Sequence, residues 1–168
     1  MQRITIEKLG PVNHFTSEIS QYIFLIGEQA VGKSTIAKSI YFCRNYKSVL
    51  REALYDIYNT GTYKGVSIKQ AKQFMQLLRS EVKAQFIEFF GYSWDLDRAM
   101  FLEYEFVPEK VWLSIDLENQ QGYINLKNSK ELTRRINVLL GEVVNLYQNK
   151  YVTQDPIVLN SKERIKKE

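Results

Sequence analysis

The stretch Tyr22-Ile23-Phe24-Leu25-Ile26-Gly27-Glu28-Gln29-Ala30-Val31-Gly32-Lys33-Ser34-Thr35 decides how this chain is read. Its first five residues are a continuous apolar run ended by a glycine, the pattern of a strand buried on both faces. Gly27 to Ser34 then matches G-x-x-x-x-G-K-[ST] at every fixed position. A helix is expected from Lys33 or Ser34 to about Arg44, continuing or restarting towards Tyr58. Strand, loop and helix in that order make a cup for a phosphate chain. Gly27 lets the chain leave the strand in a conformation closed to residues with a Cβ. The N–H groups of Glu28, Gln29, Ala30 and Val31 then curl towards an anion. Gly32 permits close approach of the backbone to a phosphate, and the helix adds its unpaired N–H groups and positive dipole end. Lys33 brings a full charge for the β- and γ-phosphates. Ser34 offers a hydroxyl to Mg²⁺, and Thr35 reaches the α-phosphate. The cofactors expected from this pattern are ATP and Mg²⁺.

Upstream, residues 3–9 alternate, with Ile4 and Ile6 inward, and read as a strand; Gly10-Pro11 marks a turn and residues 14–19 a second short strand. Downstream, residues 59–65 read as a loop. Ser67-Ile68-Lys69-Gln70 looks like a capping box that opens a long helix. That helix carries the stripe Ile68, Ala71, Phe74, Met75, Leu78, Val82, Phe86, Phe89 and Phe90, and Gly91 stops it. The runs 101–107, 111–117 and 123–126 read as an antiparallel meander. Asn128, with Glu131 three residues on, opens a last helix with the stripe Leu132, Ile136, Leu139, Leu140, Val143, Val144 and Tyr147. Ile157 to Leu159 suggests one more short strand before a basic tail at 161–168. The expected class is therefore α/β, one P-loop NTPase domain over residues 1–168.

Composition narrows the function classes. With 168 residues, 45% hydrophobic and 13% aromatic, the chain has the material for a real core and is not a disordered sequence. One cysteine and one histidine exclude a disulfide framework and a Cys- or His-rich metal centre. No apolar run approaches the ~20 residues of a membrane span. Met1 to Thr5 lacks the apolar core of a secretion signal, so a cytoplasmic protein without membrane contact is expected. The net charge is +4, and half of it lies in the tail, where Lys162, Arg164, Lys166 and Lys167 outweigh Glu163 and Glu168. The nearly neutral body gives little support for direct nucleic-acid binding.

From Ile4 to Arg44 the chain resembles the opening of ABC/SMC-type ATPases, particularly the RecF- and OLD-like bacterial "AAA" ATP-binding proteins. The likeness rests on the hairpin Ile4-Thr-Ile-Glu-Lys-Leu-Gly10-Pro11-Val-Asn-His-Phe15 and on the loop and helix from Gly27 to Phe42. It implies a partial ABC/SMC-like head: an N-terminal β-hairpin, the P-loop strand–helix unit, an antiparallel meander and long helices. It also implies ATP-driven dimerisation of two heads. Catalysis in that family uses an Asp-Glu pair ending a strand, a Ser-Gly-Gly-type loop and a late histidine. This chain has no Asp-Glu, Gly-Gly or Ser-Gly pair, and its one histidine, His14, precedes the loop. The expectation is an N-terminal lobe that hydrolyses ATP only with a complementary half or a second copy, and touches nucleic acid only through the complete protein or complex. No catalytic residue is assigned. The alternative is a small complete P-loop kinase of a nucleoside or metabolite, for which the loop lies unusually far from the N-terminus.

Weaker candidates follow. Asp116, ending Val111-Trp-Leu-Ser-Ile-Asp116, offers a carboxylate for Mg²⁺ through water, although a meander strand explains it more simply. Glu28 and Gln29 lie where a γ-phosphate or its attacking water would sit, and His14 or Phe15 where an adenine would stack; solvation and turn packing account for them as well. Cys43 reads as a small buried residue, and Arg134 and Arg135 as a solvated face.

Overall fold

The computed structural model describes residues 1–68, 70–91, 99–118 and 123–152. It is a mixed α/β structure in which one antiparallel sheet is covered by three helices. Two strands, β1 (Gln2–Leu9) and β2 (Val12–Ile19), form the first hairpin around Gly10-Pro11. Helix α1 (Lys33–Thr60) follows as one uninterrupted element, so the helix beyond Arg44 continues and does not restart. A small hairpin, β3 (Thr62–Tyr63) and β4 (Val66–Ser67), leads into α2 (Ala71–Phe90). The meander β5 (Phe101–Val107), β6 (Val111–Glu118) and β7 (Tyr123–Asn128) precedes α3 (Lys130–Val152). The strand order is β2-β1-β5-β6-β7, with every neighbouring pair antiparallel.

Register makes this a one-sided sheet. Ile6, Leu102, Ile115 and Leu126 sit side by side across four strands and are all buried. Their neighbours one residue along, Glu7, Phe101, Asp116 and Asn125, share the opposite face. An antiparallel sheet tolerates such a division because its hydrogen bonds are complete within the plane and one face can stay wet. The apolar face packs under α1, whose buried row Ile36, Ile40, Cys43, Tyr46, Val49, Ala53 and Ile57 follows helical spacing. Phe42 on the flank of α1 meets α2 through edge-on contacts with Phe86 at 5.4 Å and Phe90 at 6.1 Å between ring centres. Gly61 ends α1 with φ +70, and a Cβ there would stand 2.5 Å from the ring of Tyr147 on α3. Only glycine meets both the left-handed backbone and that approach.

Several sequence expectations are corrected in detail. The loop expected at 59–65 begins with the last residues of α1 and holds the first strand and turn of the short hairpin β3–β4, with Lys64 and Gly65 both at positive φ. Ser67 does not cap α2: it belongs to β4, and Gln70 is the N-cap without a side-chain bond. Asn128 does not cap α3 either, because it is still paired in β7 with Leu113. Ser129 does so, its hydroxyl accepting the Leu132 N–H at 3.1 Å. In both places the expected cap, three residues early at Ser67 and one early at Asn128, fits the local pattern but is held in a strand. The strand expected at 157–159 and the tail at 161–168 lie outside the described residues.

Two consequences can be measured. Phe86 is fully buried between α1 and α2. Phe86→Ala is expected to cost about 3–5 kcal/mol in urea unfolding, and a loss under about 1 kcal/mol would show that α2 does not anchor the core. Glu105 is buried on the outer sheet face and accepts from Arg3 Nε and from the Glu109 N–H at 3.0 Å. The Arg3 bond and charge hold its carboxyl below the ordinary value. A depressed carboxyl stabilises the fold above its unfolded pKa, and that contribution is lost as pH falls through the folded one. Stability is therefore expected to drop as pH falls below about 4.3. Glu105→Gln is expected to flatten that limb, and an unchanged pH profile would refute the assignment.

Candidate functional site

The candidate loop runs from Gly27 to Thr35 and is built by the start of α1. Gly32 is the N-cap of that helix, at φ 96 and ψ 12, and its carbonyl accepts the Ile36 N–H at 2.9 Å. The N–H groups of Lys33, Ser34 and Thr35 have no bond to another described residue. No side chain caps them, and no acidic residue occupies the first turn. An uncapped start of this kind carries partial positive charge with free donors. The preceding residues extend it. Ala30 has φ +66 and Gly32 φ +96, while Val31 between them is not left-handed. Alternation of hand along the backbone is the conformation in which successive N–H groups can turn towards one side, as at anion-binding loops.

The first hairpin seats this loop. A Cβ on Gly32 would stand 2.5 Å from Val12 Cγ2 and 3.4 Å from Pro11 Cγ, and a Cβ on Gly10 would stand 3.7 Å from Thr35 Oγ1. Pro11, Val12 and Gly10 thus support the loop from beneath. Sequence reading places Gly10-Pro11 in a turn and all three in the first hairpin, but not under the loop, because contacts across some twenty residues leave no local signal. Lys33 Nζ reaches back over the loop, donating to the Gly27 carbonyl at 2.7 Å and to the Glu28 carbonyl. Ser34 is exposed and Thr35 half-buried; Glu28, Gln29, Ala30 and Val31 are exposed. Gly27 to Thr35 are therefore brought together.

The approach to the loop differs from expectation. Tyr22 to Ile26 is not a buried strand. Tyr22, Phe24 and Ile26 are 74%, 85% and 94% exposed, and only Leu25 packs well against the core. The reason is topological. The chain turns away after Ile19 at the edge of the sheet and returns to Val12 by Gly32, so no described strand lies beside the segment.

Asp116 is not gathered to the loop. It sits on the sheet face opposite the helices, paired with Lys127 Nζ at 2.8 Å. Among the described residues no cluster of three or more His, Cys, Asp or Glu could hold a metal ion. Ser34, whose hydroxyl the sequence motif offers to Mg²⁺, is exposed in the first turn of α1. His14 lies on the outer face, 3.7 Å from Glu7, and Phe15 turns to the core. Cys43 is buried, and burial pushes its thiol far up, away from nucleophilic use. Arg134 and Arg135 both bond Glu131, whose carboxyl they hold down at about 2. No described helix is long and apolar enough to cross a membrane.

Compared with known protein families, with curated proteins and with solved structures, the chain matches none.

The packing of Gly32 makes a direct prediction. Gly32→Ala places a methyl against Val12 and strains a left-handed position, and is expected to cost about 1–3 kcal/mol in urea unfolding. A cost below about 0.5 kcal/mol would mean that loop and hairpin are not held together.

Proposed function

We propose that this chain is an ATP-binding P-loop domain, the N-terminal lobe of an ABC/SMC-like ATPase. The observation that carries the reading is the uncapped head of α1 and the backbone that leads into it. Left-handed Ala30 and Gly32 flank Val31, three further N–H groups are free, and the only lysine of the motif closes over them. Backbone donors and a helix dipole favour an anion, and a chain of phosphates supplies one at each step. Lys33 would exchange its two carbonyl partners for β- and γ-phosphate oxygens. That exchange opens the loop and replaces neutral acceptors with charged ones, which bond more strongly. Ser34 would hold Mg²⁺ through its hydroxyl, and Mg²⁺ supplies charge neutralisation between the β- and γ-phosphates.

Binding and hydrolysis separate here. Phosphoryl transfer to water needs a positioned water and charge stabilisation at the γ-phosphate. Glu28 and Gln29 stand on the exposed side of the loop, where nothing orients them. Hydrolysis is therefore assigned to an assembly with a complementary ATPase half or a second copy. The hairpin beneath the loop and the bare segment before it disfavour the reading as a small complete kinase.

Calorimetric titration of ATP·Mg²⁺ tests this. The wild-type chain is expected to bind, and Lys33→Ala to bind about 10- to 100-fold more weakly, the loss of one charge-assisted contact. Phosphate release by the chain alone is expected to stay at the buffer rate. Equal affinity of the two proteins would refute the assignment.

A further inference from the structure

Residues 20–26 carry the chain from the end of β2 to Gly27. Leu25 packs against the core, and Ser20 Oγ bonds the Tyr22 carbonyl within the segment itself. Among the described residues, one polar bond ties the segment to another element: Arg44 Nη2 of α1 donates to the Ser20 carbonyl at 3.2 Å. Arg44 is in turn held from the sheet. Its Nε donates to the Tyr104 hydroxyl at 3.2 Å, and that hydroxyl donates to Gln2 Oε1 at 2.5 Å. Tyr104 is fully buried in β5, so its hydroxyl is fixed by the packing around the ring. Arg44 forms no ion pair among the described residues. Its donors serve two neutral oxygens, one in the sheet interior and one at the start of the approach to the loop.

We infer that Arg44 is a positioning residue for the loop. The loop is delivered in two halves. Lys33, Ser34 and Thr35 belong to α1, whereas Gly27 to Val31 arrive from β2 through residues 20–26. Arg44 fastens the beginning of that second path to the helix that carries the first half. Ser20 and Arg44 are 24 residues apart, and the ring of chain they close contains all of Gly27 to Thr35. Closing such a ring removes conformational freedom from the residues inside it. Arg44 lies about 16 Å along the helix axis from Lys33, too far to touch a phosphate in the loop, so it acts through the chain it holds. Arginine suits this task because Nε and Nη2 are separate donors on one rigid plane, which fixes the spacing of acceptors on different elements. A lysine offers one nitrogen.

What the loop binds rests on the nucleotide reading, but the brace itself is measured without nucleotide. Arg44→Met keeps the apolar stem and removes every donor; Tyr104→Phe removes only the hydroxyl that holds the guanidinium, and decides the matter should Arg44→Met fail to fold. In amide relaxation by NMR on the nucleotide-free chain, both are expected to lower the order parameters of residues 21–31 below wild type, towards the ~0.6 of flexible backbone, and to leave those of 46–57 in α1 unchanged. In calorimetry with ATP·Mg²⁺, folded Arg44→Met is expected to bind about tenfold more weakly, as the arrangement competent to bind becomes less populated. Lys47→Met removes the same charge from the same helix, where Lys47 lies over the Phe106 ring, and is expected to match wild type. Arg44→Lys restores the charge without the fork and is expected not to rescue. Unchanged order at 21–31 in the variants, a loss shared by Lys47→Met, or rescue by Arg44→Lys would each overturn the inference. So would a lower urea midpoint with loop order and affinity of the folded protein intact, the signature of a role in stability alone. If the wild-type chain fails to bind ATP while its loop order still depends on Arg44, the nucleotide reading falls and the brace stands.

Discussion

Helix α1 is the element on which both the core and the candidate site depend. Its buried row, from Ile36 to Ile57, covers the apolar face of the sheet, and its flanks receive α2 through Phe42 and α3 near Gly61. The same rigid body carries the loop at its first residue. A helix anchored along its length by packing cannot shift at its N-terminus without disturbing the core, since packed interiors are dense and resist displacement. The free N–H groups of Lys33, Ser34 and Thr35 are therefore fixed in direction by contacts far from them. The hairpin turn at Gly10 to Val12 fixes their position from the other side.

Much of this was legible in the sequence. Strong periodicity identifies β1, the three meander strands, α2 and α3, because each buries one face and its residues say which; α1 is expected from the loop before it, with its length beyond Arg44 left open. Ile4 and Ile6 alternate with Arg3, Thr5 and Glu7, and the pattern of burial follows them. The loop is legible for a different reason. Gly32 is required by both a left-handed φ and a Cβ-sized approach to Val12, so the residue type itself records the geometry. Helix starts were less legible. Asn128 and Ser129 are both good N-caps, and only the pairing of Asn128 with Leu113 gives the role to Ser129. Local propensity offers two answers there, and a long-range ladder chooses.

The electrostatics of the loop show a similar division between local and distant causes. Lys33 is placed by helix geometry, but its charge is at present directed to the carbonyls of Gly27 and Glu28. A neutral oxygen is a weak acceptor beside an anion, so these bonds hold the ammonium near the loop without committing it. No carboxylate competes for it in the first turn of α1. Acidic side chains that form ion pairs with Lys or Arg lie elsewhere: Glu105 with Arg3, Glu81 with Lys64, Asp116 with Lys127, Glu131 with Arg134 and Arg135.

The reading of Tyr22 to Ile26 fails in an informative way. The residues have the composition of an interior strand, yet the described structure leaves them outside any sheet. Hydrophobic composition states what environment a segment is suited to; topology states whether the chain at hand supplies it. Here β2 is the edge of its sheet, the chain turns away after Ile19, and the meander strands lie beyond β1 on the far side. The mismatch between suited and supplied surroundings is concentrated in the five residues that deliver the chain to Gly27. A segment tethered on one side only, by Leu25, leaves the first half of the loop less constrained than the second, which α1 and the hairpin hold.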